Sequence, residues 1–240
     1  MKIVLISDLH LSPDTLNANN EFAQLMQQWQ SEIDALYILG DFFDFWCGDD
    51  DDNIFIRQIK TIFSNFTQHK PIYFMVGNHD FGLGKKFARS TGIKIIRDAT
   101  VIKVADNLIL LSHGDRFCTL DKGHQKLRFF LHNRFVVSIL GYTPLAWRYK
   151  IKEKLEKKSG AVYNIKPQET YLVVNSTIVK FAKKYGANIV IHGHTHNPGK
   201  YEIPTDNGSI IRYEIPDWTD REPGGYIVIE NNNIDLIMSK

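Results

Sequence analysis

Seven side chains that can offer a metal ion an oxygen or an imidazole nitrogen stand in five short segments of this 240-residue chain: Asp8 and His10, Asp41, Asn78, His113, then His194 and His196. Each segment follows a short apolar run: Ile3–Ile6, Leu36–Leu39, Ile72–Val76, Leu108–Leu111 and Ile189–Ile191. Such runs, bounded by glycine and polar residues, read as buried strands. Open α/β sheets gather function at the carboxyl ends of their strands, so these strands would deliver the side chains to one edge. Core packing requires no such set, although any one of the histidines alone would read as a hydrogen-bonded core residue. Mixed oxygen and nitrogen donors suit Mn2+, Fe2+, Zn2+ or Co2+ better than Ca2+ or Mg2+. Asp41, next to Gly40, has two carboxylate oxygens and is the natural bridge between two cations. Asp8 and His10, at i and i+2, sit in the turn beyond the strand, where they can converge.

Other polar residues read more blandly. His69 is expected at the surface, and His124 and His132 have no ligand-like company. Asp44 and Asp80 are expected to orient imidazoles from behind the ligands. The run Asp49–Asp52 reads as a solvated cap of the helix that starts at Asn53, or else as a loop at the rim of the cleft.

The elements that must position these groups alternate strand and helix through the first hundred residues. Phe22, Leu25, Met26, Trp29 and Ile33 fall on one helical face. A second helix is predicted over Asn53–Phe66 and a third over Lys85–Ser90, stopped by Gly92. The rhythm then changes to hairpins. Val101–Val104 and Leu108–Leu111 flank Asp106-Asn107; Lys200–Ile203 and Ile210–Ile215 flank Asn207-Gly208; Tyr226–Ile229 and Ile234–Met238 flank an asparagine-rich turn. Lys122 to Tyr185 reads as helix, broken near Gly141–Pro144 and Gly160–Pro167, with a last helix from Gln168 to Tyr185. The pattern predicts an α/β fold of two packed sheets flanked by helices. It is expected as one domain over residues 1–240, with a helical cap, 122–166, inserted in it.

The chain is long enough for one substantial core, and 43% hydrophobic with 23% charged residues is ordinary for a soluble globular protein. A net charge of +2 carries no nucleic-acid signature. Cys47 and Cys118 suggest no disulfide framework and fit a reducing cytosol. The apolar run before Asp8 is too short for a signal peptide. The most apolar stretch, Phe135–Trp147, is interrupted by Ser138, Gly141, Thr143 and Pro144, so no spanning helix is expected.

The ordered set D-x-H, G-D-x-x-D, G-N-H-D, H-G and G-H-x-H, running from Asp8 to His196, resembles the calcineurin-like metallophosphoesterase superfamily. The resemblance implies a four-layer αββα sandwich and a centre of two divalent cations, Mn2+ foremost. It implies one metal on Asp8, His10, Asp41 and His196, and another on Asp41, Asn78, His113 and His194. Asp41 is then catalytic as the bridge, and His79 aids the leaving group or stabilises charge in the transition state. Two cations so placed clamp a phosphoryl oxygen and acidify a water.

Within the superfamily, Leu36–Asn53 (LYILGDFFDFWCGDDDDN), Gly77–Arg89 (GNHDFGLGKKFAR) and Ser112–Asp121 (SHGDRFCTLD) resemble the bacterial pyrophosphatases of lipid A biosynthesis. That resemblance implies hydrolysis of UDP-2,3-diacylglucosamine to UMP and 2,3-diacylglucosamine 1-phosphate. It implies a cytoplasmic enzyme, peripherally associated with the cytoplasmic face of the inner membrane. Substrate contacts would come from Asn78, His79, Asp121, Ser159, Tyr163 or Asn164, Lys166 and His194. The apolar stretch Phe129–Leu140 would either shelter acyl chains or pack the cap onto the body. The run Arg148–Lys158, with six basic and two acidic residues, is either a solvated helix or a contact with an anionic membrane. One position departs: many members have Arg where this chain has His79, and imidazole cannot reproduce a guanidinium fork. Another cytosolic phosphoesterase or nucleotide pyrophosphatase with a non-lipid substrate is the alternative. A non-catalytic scaffold is a third, against which the intact ligand set and His79 argue.

Overall fold

Along β1 (Lys2–Ile6), Ile3 and Leu5 point to one side, Val4 and Ile6 to the other, and all four are buried. A strand buried on both faces must lie between two layers. Val4 and Ile6 cluster with Phe22, Met26 and Trp29 of α1 (Leu16–Glu32), Ile56 and Phe63 of α2 (Ile54–Thr67) and Phe87 of α3 (Lys85–Thr91). Ile3 and Leu5 pack instead on Ile109, Leu111, Ile189, Ile191 and Tyr213 of a second sheet. The far face of that sheet sets Leu110 and Val190 against Ile178 and Ala182 of α7 (Asn175–Tyr185). Three apolar interfaces thus separate four layers, helix, sheet, sheet and helix, as the αββα expectation requires.

The computed structural model describes residues 1–46, 48–131, 133–163, 168–206, 208–221 and 224–238, with backbone only at 134, 138, 140, 155–163 and 168. The first sheet runs β11 (Asn233–Met238), β10 (Gly225–Glu230), β1, β2 (Ala35–Leu39), β3 (Ile72–Met75), β4 (Lys94–Ile96). Its strands β1 to β4 are parallel, and the final hairpin is antiparallel. The second runs β5 (Thr100–Val104), β6 (Asn107–Leu111), β7 (Ile189–His192), β9 (Gly208–Glu214), β8 (Gly199–Thr205), with β6, β7 and β9 parallel. Helices α4 (Lys122–Leu131), α5 (Arg134–Gly141) and α6 (Leu145–Tyr163) fall between β6 and α7.

Five details differ from the sequence reading. The first hairpin turns at Ala105-Asp106, because Val104 pairs with Asn107 and Ala105 takes φ 50°. Helix α6 passes through Gly160 unbroken; a helical glycine costs about 1 kcal/mol, which neighbouring turns outweigh. The last helix starts only at Asn175, since Gln168–Tyr171 forms a 3-10 turn and Val174 is extended, its N–H donating to the Phe117 carbonyl (2.9 Å). Strand β4 was not foreseen, being three residues long and largely exposed. In the second hairpin Thr205 pairs with Gly208, which already belongs to β9, so the strands join one residue earlier than the Asn207-Gly208 expectation; Asn207 itself lies outside the described residues.

Candidate metal centre

Five candidate ligands take left-handed backbone conformations: Asp8 (φ 56°), His10 (47°), Asp41 (52°), His194 (78°) and His196 (51°). Each such conformation costs about 1–3 kcal/mol and survives only where its surroundings over-determine it. Here the loops are tied to one another. The Asp8 N–H donates to Gly40 O (3.1 Å), His10 N–H to Asp41 O (3.1 Å), Gly193 N–H to His113 O (2.8 Å) and Trp218 N–H to Asp8 O (3.0 Å). Buried Asp80 accepts from the Phe42 N–H (2.9 Å) and the Gly77 N–H (2.6 Å). It therefore clamps two loops by their amides; the expectation that it orients an imidazole is corrected. Asp44 orients His79, but through its backbone carbonyl, which accepts from His79 Nδ1 (2.5 Å). Two glycines let the loops close: a Cβ at Gly77 would lie 2.2 Å from Asp41 Oδ1, and one at Gly193 would lie 2.0 Å from Asp8 Oδ2. Beneath, Phe42 and Phe43 bury their rings in the aromatic core and fix the Asp41 loop.

The result is a tight cluster. Donor atoms of Asp8, Asp41, His113 and His194 lie within 4.8 Å of one another, as do those of Asp8, His10 and His196, and those of His10, Asp41 and His79. His113 Nε2 is 3.1 Å from Asn78 Oδ1 and 3.4 Å from Asp41 Oδ2, while its Nδ1 donates to Leu39 O (2.9 Å) and so fixes the ring. All seven residues singled out in the sequence, and His79, come together. His196 Nε2 is 3.6 Å from Asp8 Oδ1, and its Nδ1 is 3.3 Å from Asp217 Oδ2. Glu214 accepts from Thr195 Oγ1 and from the Asn197 N–H (3.0 Å), bracketing His196. Asp217 and Glu214 went unnoticed in the sequence. The signal was there for Asp217, which follows β9 as the candidate ligands follow their own strands.

The electrostatics say what the cluster can hold. Asp8 and Asp41 are buried, and Asp8 Oδ1 has no hydrogen-bond partner among the described residues. Buried carboxylates need a compensating cation. Burial opposes a charge on His113 and His196, yet Asp41 holds His113 well above its ordinary pKa and Asp8 pushes His196 up to about 9. Burial, with His113 beside it, keeps His194 down to about 3, and burial keeps His10 low as well. In the metal-free protein, protons on His113 and His196 thus balance the two carboxylates. The mixed carboxylate, amide and imidazole donors fit divalent cations. A cation that takes His196 Nε2 must expel its proton, so affinity is expected to climb with pH toward about 9 and level above it. Adding Mn2+ to weakly buffered metal-free protein at neutral pH should acidify the solution; no proton release would remove His196 from the ligand set.

The calcineurin-like phosphoesterase family matches residues 1–198. The chain belongs to that family. UDP-2,3-diacylglucosamine hydrolase of Vibrio cholerae serotype O1 is 36% identical over 228 residues, covering 91% of this chain and 91% of its own length. The enzyme of that name from Photobacterium profundum is 37% identical over 221 residues, covering 91% and 89%. That of Psychromonas ingrahamii is 31% identical over 240 residues, covering 99% and 97%.

Around the centre of this phosphoesterase, the Asp49–Asp52 run is not the solvated cap of α2. Asn53 caps that helix, accepting from the Ile56 N–H (2.9 Å). The four carboxylates have separate tasks. Asp49 caps α3, accepting from the N–H groups of Gly84 (2.9 Å), Lys86 (2.9 Å) and Phe87 (3.0 Å). Asp50 is clasped by both terminal nitrogens of Arg148, and Asp51 accepts from Tyr149 Oη (2.5 Å). Asp52 pairs with Arg57 (3.0 Å) and Lys60 (3.1 Å) on α2. The Asp44 carboxylate meets Lys152 (2.8 Å). Two members of the basic run, Arg148 and Lys152, therefore face the body, not open solvent.

A small apolar pocket, with an internal volume of about 40 Å3, lies at this junction, between Phe45, Trp46 and Phe81 of the body and Val137, Gly141 and Ile151 of the helical segment. Phe129, Phe130, Phe135, Ile139, Tyr142 and Trp147 are exposed on that segment. Buried Asp121 stands at the start of α4 and accepts from the His124 N–H (3.0 Å). Ser159 and Tyr163 lie on α6, but their side chains fall outside the described residues, as do Asn164, Lys166, His132 and Cys47 entirely. His69 is exposed as expected, whereas the His124 ring packs 5.2 Å from that of His194. No helix among the described residues is long and apolar enough to cross a membrane.

Proposed function

We propose that this phosphoesterase hydrolyses the pyrophosphate bond of UDP-2,3-diacylglucosamine to UMP and 2,3-diacylglucosamine 1-phosphate. The observation that carries this reading is the apolar pocket beside the ligand cluster: Phe45 follows Asp44, whose carbonyl holds His79, and Phe81 lies two residues beyond His79. A phosphate site alone needs no such pocket; a substrate with acyl chains does. The names of the relatives support it.

In this reading Asp8, His10, Asp41 and His196 hold one divalent cation, and Asp41, Asn78, His113 and His194 hold the other, with Mn2+ the working metal. Two such cations supply Lewis acidity toward phosphoryl oxygens and acidify a water. The protein's own contribution is placement: cross-tied loops keep two carboxylates and four imidazoles in register without reorganisation. Asn78, His79, Asp121, Ser159, Tyr163 or Asn164, Lys166 and His194 contact the substrate. Residues 1–240 act as one domain, and 122–166 as its cap. The exposed apolar side chains of that cap, with Lys150 and Lys154 exposed nearby, rest on the cytoplasmic face of the inner membrane. Purified protein with Mn2+ and this substrate should release UMP. Hydrolysis of a small aryl phosphodiester without UMP release would favour a non-lipid phosphoesterase.

His79 supplies charge in place of the guanidinium. Burial opposes its protonation, but Asp41 and the Asp44 carbonyl hold its pKa above the ordinary value. The imidazolium can stabilise charge on the leaving phosphate or donate a proton to it. His79→Ala is expected to lower kcat roughly 10²-fold while metal content per chain stays near wild type. Parallel loss of metal and rate would recast the residue as structural.

A further inference from the structure

The helical segment touches the metal loops through one face of α4. At its first turn the His124 ring packs against His194, and Gln125 Nε2 donates to the carbonyls of Asp115 (2.7 Å) and Cys118 (3.1 Å). One turn on, Arg128 reaches two carboxylates: Nη2 lies 2.7 Å from Asp98 Oδ2, and Nε lies 2.8 Å from Asp115 Oδ2. Both carboxylates belong to the support of His113. Asp98 Oδ1 accepts from Ser112 Oγ (2.7 Å) and from the His113 N–H (3.3 Å), while its Oδ2 also takes Arg116 Nε (2.6 Å). Asp115 is two residues beyond His113, across Gly114 at φ 123°.

We propose that Arg128 is a positioning residue for the metal centre, joining α4 to the His113 loop through Asp98 and Asp115, so that metal affinity depends on a residue of the cap. This rests on the ligand assignment above. Asp98 and Asp115 are both deeply buried, and a guanidinium fork is the one side chain that can bind both at once with fixed geometry. Withdrawing it leaves two carboxylates near each other with less positive charge between them. The loop between Ser112 and Asp115 then relaxes, and the His113 imidazole moves off its bonding direction. The opposite strap of the cap joins Tyr149 to Asp51, neither of them a candidate ligand, and serves as the control.

The test is calorimetric titration of metal-free protein with Mn2+, alongside the visible absorption of the Co2+-loaded protein. Arg128→Met should weaken Mn2+ binding roughly ten- to a hundredfold and alter the Co2+ spectrum. Arg128→Lys should recover part of the affinity, because it restores charge without the fork. Tyr149→Phe should stay within about twofold of wild type, as a distant and independent site. Wild-type affinity in Arg128→Met, or an equal loss in Tyr149→Phe, overturns the proposal. If circular dichroism shows Arg128→Met unfolded, Asp98→Asn carries the same test: it keeps the shape and removes the charge Arg128 grips. Weaker binding supports the link, and unchanged binding overturns it. A wild-type chain that takes up no Mn2+ would be a different failure, sinking the ligand assignment and this inference with it.

Discussion

Asp41→Ala is expected to abolish turnover, by on the order of 10³-fold or more, in a chain that still folds. In the proposed ligand set this carboxylate bonds both cations, and it also accepts the His79 N–H (2.8 Å), so its removal would strike metals and charge stabiliser together. His196→Ala removes one terminal imidazole, 44% exposed, and its loss should be smaller and recoverable at higher metal concentration. Asp41→Asn separates the causes, since an amide oxygen can keep the His79 contact but cannot supply the negative charge of a bridge. Measuring metal per chain beside kcat reads the order: Ala worst, Asn close to it, the His196 variant mildest. An Asp41→Ala enzyme with near wild-type turnover would end the bridging role.

The cluster of candidate ligands was legible because each of them follows its strand directly, so local pattern and final position coincide. The layers were legible for the same reason: in β1, β2 and β7 the buried runs announce a strand covered on both faces. What the sequence concealed is pairing at long range. Nothing near Asp98 marks it as the partner of Ser112, Arg116 and Arg128, and nothing near Glu214 marks it as the brace of Thr195 and Asn197. The acidic run misled because four adjacent carboxylates look like one solvated unit. The fold sends them to four places, the start of α3, Arg148, Tyr149 and the flank of α2. Helix α6 was misjudged at Gly160 because intrinsic propensity is a weak vote that a long helix overrides.

Removing the acyl chains should cost this enzyme more than any change in the sugar. Each methylene taken from water contributes about 0.8 kcal/mol at best, so about six buried methylenes give ~5 kcal/mol, over a thousandfold in kcat/KM. UDP-N-acetylglucosamine, which has the same pyrophosphate and no long chains, is therefore expected to be a very poor substrate. The wall of the pocket gives a second handle. Val137→Asn, or a polar residue at Phe81, puts an unpartnered amide or hydroxyl where methylenes should lie, and KM for the acylated sugar should rise. Hydrolysis of a small aryl phosphodiester should scarcely change, because neither side chain is among the candidate ligands. Exposed Phe130 is different: it is absent from the pocket wall, so Phe130→Ser should weaken turnover of vesicle-borne substrate more than of substrate in detergent. Equal efficiency on acylated and unacylated sugars would overturn the lipid assignment while leaving the metal centre in place, and the pocket would then need another occupant.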